Sequence, residues 1–276
     1  MGIGNMVPGI SGGTIALITG IYERLVHSIS SIDLKFITYF LKGDLTEATK
    51  NVKNIDFNLF IPLLLGIGSA VLLITNIIYF LLQYFTAITC AFFFGLILAS
   101  AFLIYMKESN LSVKNIVASI IGFVSAFLFA GMATVQFGHS LFIIFLSGIV
   151  ATCAMILPGI SGAFILLLLG QYEYILSVLR NLQLLEIFIF CAGGLIGILS
   201  FSKFLNYIMN KYRSITIYFL IGVMLGALRL PYQKIAGNVD VYVDAIIPVL
   251  ITAMLGFFIV LYLDWHSKRW GKEARD

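Results

Sequence analysis

Between Asn115 and Tyr172 the chain runs for 58 residues without an aspartate, glutamate, lysine or arginine. A helix crossing the hydrocarbon core of a bilayer needs about 20 apolar residues, so this run must hold more than one crossing. Further uncharged stretches lie at 59–82, 84–106, 187–202, 214–228 and 245–263. In lipid, every backbone N–H and C=O must find its partner inside the protein, which favours helices for runs of this length. The chain is 61% hydrophobic and 11% charged, with mean hydropathy +1.04, which excludes an ordinary soluble domain. The amino terminus has no basic region ahead of an apolar stretch, so no cleavable signal peptide is read there. An all-α, multi-pass integral membrane protein is expected.

One motif is written twice, 150 residues apart. The first copy begins Pro8-Gly9-Ile10-Ser11-Gly12-Gly13-Thr14-Ile15 and closes at Gly20-Ile21-Tyr22-Glu23. The second begins Pro158-Gly159-Ile160-Ser161-Gly162-Ala163-Phe164-Ile165 and closes at Gly170-Gln171-Tyr172-Glu173. Duplicated Pro-Gly breaks inside apolar sequence are the mark of transporters built from two repeats with broken helices at the centre. Beyond the motif the offset becomes 127, pairing Gly66 with Gly193, Thr89 with Thr216 and Gly95 with Gly222. Ile120-Ile121 then match Ile246-Ile247 at an offset of 126. Each unit is expected to carry three helices after its motif, at 59–82, 86–106 and 115–137, then at 187–209, 214–230 and 243–264. The first repeat is placed at 1–137 and the second at 138–276. The run from Ser140 to Tyr172 reads either as two full spans or as a re-entrant hairpin with its tip at Leu157-Pro158-Gly159. Either form leaves three crossings between the motifs, so the second repeat is inverted relative to the first. Seventeen apolar residues, 141–157, precede the second motif but only Met1–Val7 the first, so the repeat implies a leading hairpin arm before residue 1.

Charge sets the orientation. With Arg24, the 26–57 loop, the 107–114 loop, the 203–213 segment and the carboxyl terminus on one side, that side holds 14 of the 17 lysines and arginines. Arg180, Arg229 and Lys234 fall on the other. Basic residues are retained on the cytoplasmic side, so the C-terminus is expected to be cytoplasmic, in a bacterial cytoplasmic membrane. Within 26–57, Ile29, Ile32, Phe36, Ile37, Phe40 and Leu41 share one helical face, the pattern of an interfacial helix. Tyr79, Tyr84, Tyr207, Tyr212, Trp265 and Trp270 fit an aromatic belt.

Ser11 and Ser161 follow a Pro-Gly-Ile break and precede an apolar helical run, where an N-cap serine belongs. The amides of Gly12, Gly13 and Thr14, and of Gly162, Ala163 and Phe164, would face outward at a helix N-terminus and suit an anion such as phosphate. Small residues also allow close helix packing, which is the plainer reading of a single copy. Pro8, Gly9, Ser11, Gly12, Gly13 and Thr14, with Pro158, Gly159, Ser161 and Gly162, are the candidate substrate contacts. Lys203 and Arg229, isolated bases beside apolar helices, join them; each can also serve as an interfacial anchor. Glu23 and Glu173, near an interface, are the candidates for coupling or gating, with Arg24 as a partner for Glu23. His27, His139 and His266 stand apart from both motifs. Cys90, Cys153 and Cys191 lack metal-ligand spacing, so no metal, cofactor or catalytic residue is assigned.

The stretches Pro-Gly-Ile-Ser-Gly-Gly-Thr-Ile-Ala at 8–16, Gly-Ile-Tyr-Glu at 20–23 and Pro-Gly-Ile-Ser-Gly at 158–162 resemble a bacterial membrane family. It was long filed as a domain of unknown function and is now associated with polyprenyl-phosphate translocation, the PopT-type transporters. The resemblance implies a flippase that returns undecaprenyl phosphate from the outer to the cytoplasmic leaflet for cell-wall synthesis. It implies a lipid substrate, a membrane setting and no nucleic-acid partner, is compatible with a homo-oligomer, and leaves open proton or sodium coupling. Two other classes stay in view. A transporter of a small soluble anion could use the same helix ends; a lipid pyrophosphatase would need acid-base or metal-binding groups beside the motifs.

Overall fold

The computed structural model describes residues 11–32, 55–108, 110–133, 135, 137–238 and 243–273. Pro8, Gly9 and the amphipathic pattern through Phe36 to Leu41 lie outside the described residues. The described chain is all-helical. Its elements are α1 (Gly12–Ile18), α2 (Tyr22–Ser30), α3 (Phe57–Tyr84), α4 (Thr86–Lys107), α5 (Val113–Ala130), α6 (Leu141–Ile156), α7 (Gly162–Leu168), α8 (Tyr172–Arg180), α9 (Leu184–Ala227), α10 (Arg229–Ala236) and α11 (Val243–Glu273). Among the described residues α4, α5 and the stretch through α9 and α10 are long and apolar enough to cross a membrane. The α7–α8 pair, bent by 109°, makes a fourth if it is one span.

The helices expected at 187–209 and 214–230 both lie in the 44-residue stretch α9, as two helices joined across a kink at Tyr212 (φ −134°, ψ 46°). The kink falls within the 203–213 segment expected on the basic side. At ~1.5 Å per residue the parts of α9 before and after the kink, 28 and 15 residues, are roughly 42 and 22 Å long. Its first half packs against α6, and its second half against α5 and α4. Phe85, between α3 and α4, has nearly the same backbone break (φ −132°, ψ 43°). Phe85 and Tyr212 are 127 residues apart, the offset read from the sequence.

The helix pairs that form the centre meet through glycine. A Cβ at Gly222 would stand 2.0 Å from the Ser119 carbonyl oxygen, and one at Gly122 2.2 Å from that of Phe219, so α5 and α9 touch backbone to backbone. The same reciprocal contact joins α4 to α11: Gly95 on the Ala253 carbonyl (1.9 Å) and Gly256 on that of Phe92 (2.1 Å). Without a hydrophobic drive between lipid-bathed helices, such close approach is what holds them. Gly95 and Gly222 keep the 127 offset, but their partners Gly122 and Gly256 are 134 apart (122 and 256), not the 126 that Ile120-Ile121 and Ile246-Ile247 suggest.

Ion pairs gather at one end. Arg24 binds Asp56 with two bonds of 2.8 and 2.9 Å. Lys107 Nζ lies 2.6 Å from Asp264 Oδ1. Arg213 bridges Glu23 (2.8 Å) and Glu108 (3.1 Å). These contacts bring the start of α2, the end of α4, the break in α9 and the far part of α11 to the same face.

Candidate functional site

The two motifs build matching breaks. α1 ends in a paired turn in which Gly20 N–H donates to Leu17 O and Ile21 N–H to Ala16 O. α7 ends identically, Gly170 N–H to Leu167 O and Gln171 N–H to Leu166 O. This Schellman arrangement needs a left-handed residue, supplied by Gly20 (φ +75°) and Gly170 (φ +64°). Each seven-residue helix thus turns into the next, α1 into α2 and α7 into α8.

At their opening ends the motifs touch each other. Ser11 caps α1 by accepting from Gly13 N–H (3.1 Å) and also donates to Leu157 O (3.0 Å), across 146 residues of chain. Thr14 Oγ1 accepts from Gly159 N–H (2.8 Å) at a buried position. A Cβ at Gly13 would lie 2.6 Å from Ile156 O, so only glycine lets the strands of contact close. Gly159, at φ +88°, rests on Met224 and Ala227 of α9. The breaks are therefore one interlocked unit in the middle of the helix packing.

The interlock divides the expected anion donors unequally. In the first motif the Gly13 amide is taken by Ser11, and Thr14 N–H donates to Ser11 O, so these amides are not left for a ligand. In the second motif Ser161, 6% exposed, makes no capping bond. No hydrogen bond from the Gly162, Ala163 or Phe164 amide occurs among the described residues. Gly162 lies against α6, where its Cβ would meet Ala151 O at 2.7 Å, while Ala163 is exposed. Position 14 in the first motif is a threonine that reaches across; its counterpart is Phe164, which packs edge-on against Phe129 of α5. At this position the first motif bonds to the second, while the second packs on α5.

Arg229 borders the same part of α5. Its guanidinium donates to Phe127 O (2.9 Å), lies 4.4 Å from the Phe127 ring, and fills the space a Cβ at Gly131 would need. It caps the last turn of α5, two residues from the ring that carries Phe164. Lys203 is exposed on α9, with no ion pair among the described residues. Glu23 pairs with Arg213, whereas Arg24 is engaged by Asp56. The hydrogen bonds from Arg24 hold the Asp56 carboxyl below the ordinary carboxylate range. Glu173 is exposed and carries no ion pair among the described residues. No group of histidine, cysteine and carboxylate side chains that could hold a metal occurs among them either.

Three contacts were not read from the sequence. Thr14 on Gly159 could have been suspected only from the mismatch of Thr14 with Phe164. Arg213 on Glu23 joins residues 190 apart with no local signal. Gln171, fully buried, replaces Ile21 of the first copy and donates to Phe137 O (3.0 Å) and Gly138 O (3.3 Å), pinning the second break to the segment before α6.

Comparison with known proteins places this architecture. A family described as undecaprenyl phosphate translocase-like matches residues 1–259. A polyprenyl-phosphate transporter of Vibrio cholerae is 36% identical over 228 residues, 83% of this chain and 73% of the relative. One of Staphylococcus aureus is 28% identical over 281 aligned residues, 95% of this chain and 92% of the relative. Both relatives are named as transporters rather than enzymes. No solved structure gives a significant match.

Proposed function

This chain belongs to the undecaprenyl phosphate translocase-like family, and we propose that it returns undecaprenyl phosphate from the outer to the cytoplasmic leaflet of the bacterial cytoplasmic membrane. The observation that carries the reading is the open end of α7. Ser161 makes no capping bond and the three amides have no hydrogen bond among the described residues, at a break inside a lipid-bathed bundle where unsatisfied donors are costly. A phosphate group supplies acceptors for those donors. The isoprenoid tail need not enter this site. A cavity of about 520 Å³ lined by Ile15, Ile78, Phe92 and Ile259 offers an apolar path beside the first motif.

An inverted-repeat transporter with re-entrant motifs is the architecture this requires. It is supported by the matching turns at Gly20 and Gly170, the matching breaks at Phe85 and Tyr212, and the two reciprocal glycine contacts. The gathering of Arg24, Lys107 and Arg213 at one end supports a cytoplasmic assignment for that face and for the C-terminus. Glu23 is held by Arg213 in this state, so it acts as a gate, and Glu173 is the candidate for proton or sodium coupling. The test is transbilayer movement of undecaprenyl phosphate in liposomes carrying the purified protein, with and without proton and sodium gradients. Movement above empty liposomes is expected; none under any gradient, with the fold intact, refutes the proposal.

A further inference from the structure

At the end of the molecule rich in lysine and arginine, a polar cavity of about 310 Å³ lies between the start of α5 and the break in α9. Ser112, Lys114 and Asn115 line one side; Lys211, Arg213 and Ser214 line the other. Asn115, 3% exposed, ties the sides together by donating to Ser214 Oγ (2.8 Å) and Asn110 O (2.6 Å). The charge in this cavity is not balanced. Arg213 is engaged by Glu23 and Glu108, but Lys114 and Lys211 have no carboxylate partner among the described residues. Lys211 instead donates to Tyr207 Oη (3.4 Å) and lies over the rings of Tyr207 and Tyr212.

Of the two lysines, Lys114 does not serve the helix that carries it. Lys114 stands in the first turn of α5, where a cation opposes the helix dipole. The equivalent break at Phe85 shows that the backbone does not need them. It borders a cavity of about 270 Å³ lined by Tyr84, Thr86, Ala87, Pro248 and Val249, with no charged side chain. Tyr84 and Thr86 stand 127 residues before Lys211 and Arg213. The same geometry is neutral on one side and basic on the other.

An apolar cavity of about 530 Å³ runs along the same helices, lined by neighbours in sequence of the basic one. Leu111 and Ile116 alternate in sequence with lining residues of the basic cavity, and Tyr218 lies one helical turn beyond Ser214. The groove runs between α4, α5 and α9 and opens outward, with Phe102 46% and Ile120 56% exposed. A basic pocket and an open apolar groove on the same helices suit an anionic head on a hydrocarbon tail.

We propose that the two cavities act as one site for a phosphate monoester attached to an apolar chain, its phosphate held by Lys114 and Lys211 and the start of its chain lying in the groove. A phosphate monoester carries about −1.5 to −2 charges at neutral pH, which two unpaired ammonium groups match. The lipid assignment rests on the transport reading above. The site lies at the opposite end of α5 from Phe129, which carries the open end of α7; 15 residues at ~1.5 Å put about 22 Å between them. It is thus a second station for the headgroup, on the basic face.

Binding to the purified full chain in detergent tests this, using farnesyl phosphate, inorganic phosphate and farnesol as probes. Farnesyl phosphate is expected to bind at least about tenfold more tightly than farnesol, a gap of ~1.4 kcal/mol. The double variant Lys114→Gln/Lys211→Gln should lose that advantage and weaken inorganic phosphate too. Both lysines are exposed, so its melting temperature should stay put. Ile120→Trp in the groove should weaken farnesyl phosphate alone, identifying a lipid rather than a free phosphate as the source. Unchanged farnesyl phosphate binding in the double variant overturns the site; unchanged binding in Ile120→Trp overturns the groove. Lipid movement by the unmodified protein in the same preparation tests the transport reading separately. Transport with lysine-independent binding sinks the pocket alone.

Discussion

Thr14→Val isolates the bond that locks the two motifs together. Valine keeps the branched shape of threonine and removes only the hydroxyl, which accepts the Gly159 N–H at 2.8 Å in a buried position. Gly159 cannot swing its amide elsewhere, because its left-handed φ of +88° and its contacts with Met224 and Ala227 fix the backbone. The donor is therefore left unsatisfied, which costs about 1–3 kcal/mol. Chains of this size class lose about 2–4 °C per kcal/mol, so a fall of roughly 2–12 °C in melting temperature is expected in detergent. Thr14→Ser, which keeps the acceptor, should fall by much less. Circular dichroism or intrinsic fluorescence on heating reads both. If Thr14→Val melts like the unmodified protein, or Thr14→Ser falls as far, the hydroxyl bridge is not what joins the motifs.

Gly95→Ala and Gly222→Ala should each destabilise by at least about 1–3 kcal/mol, because the new Cβ would stand about 2 Å from backbone carbonyl oxygens. Gly66→Ala, with nothing within 4 Å, should be neutral or stabilising by up to ~1 kcal/mol; thermal melts compare the three. Ser11→Ala should cost about 0.5–2 kcal/mol as a lost cap, whereas Ser161→Ala, which removes no capping bond, should melt near the unmodified protein. The Asp56 carboxyl, held low by Arg24, stabilises the α2–α3 junction above its ordinary value of 3.8, and that support is lost as pH falls further through the folded value. Hydrogen exchange at Leu59 N–H, which Asp56 caps, should accelerate relative to a free amide over that acid window. Asp56→Asn should flatten the response.

Much of this arrangement was written in local sequence. Pro158-Gly159 marked the second break, Ser11 marked a cap, and 86–106 matched Thr86–Lys107 because an apolar run bounded by polar residues has few alternatives. What failed did so for physical reasons. Gly95 and Gly222 were matched, yet the register of α5 with α11 was not, because apolar helices align at many offsets and backbone contact selects one. The unequal motifs were also invisible locally. The bond that ties the motifs joins Thr14 to a glycine 145 residues away.

The measurement that bears most directly on the central claim is the initial rate of undecaprenyl phosphate movement in liposomes carrying Ser161→Ala. A hydrogen bond to a charged group contributes about 1.5–3 kcal/mol, so a loss of the Ser161 hydroxyl from a phosphate site predicts a rate roughly 10- to 100-fold lower in protein that melts normally. An unchanged rate at subsaturating lipid would contradict the assignment of the open end of α7 as the place where the phosphate is held.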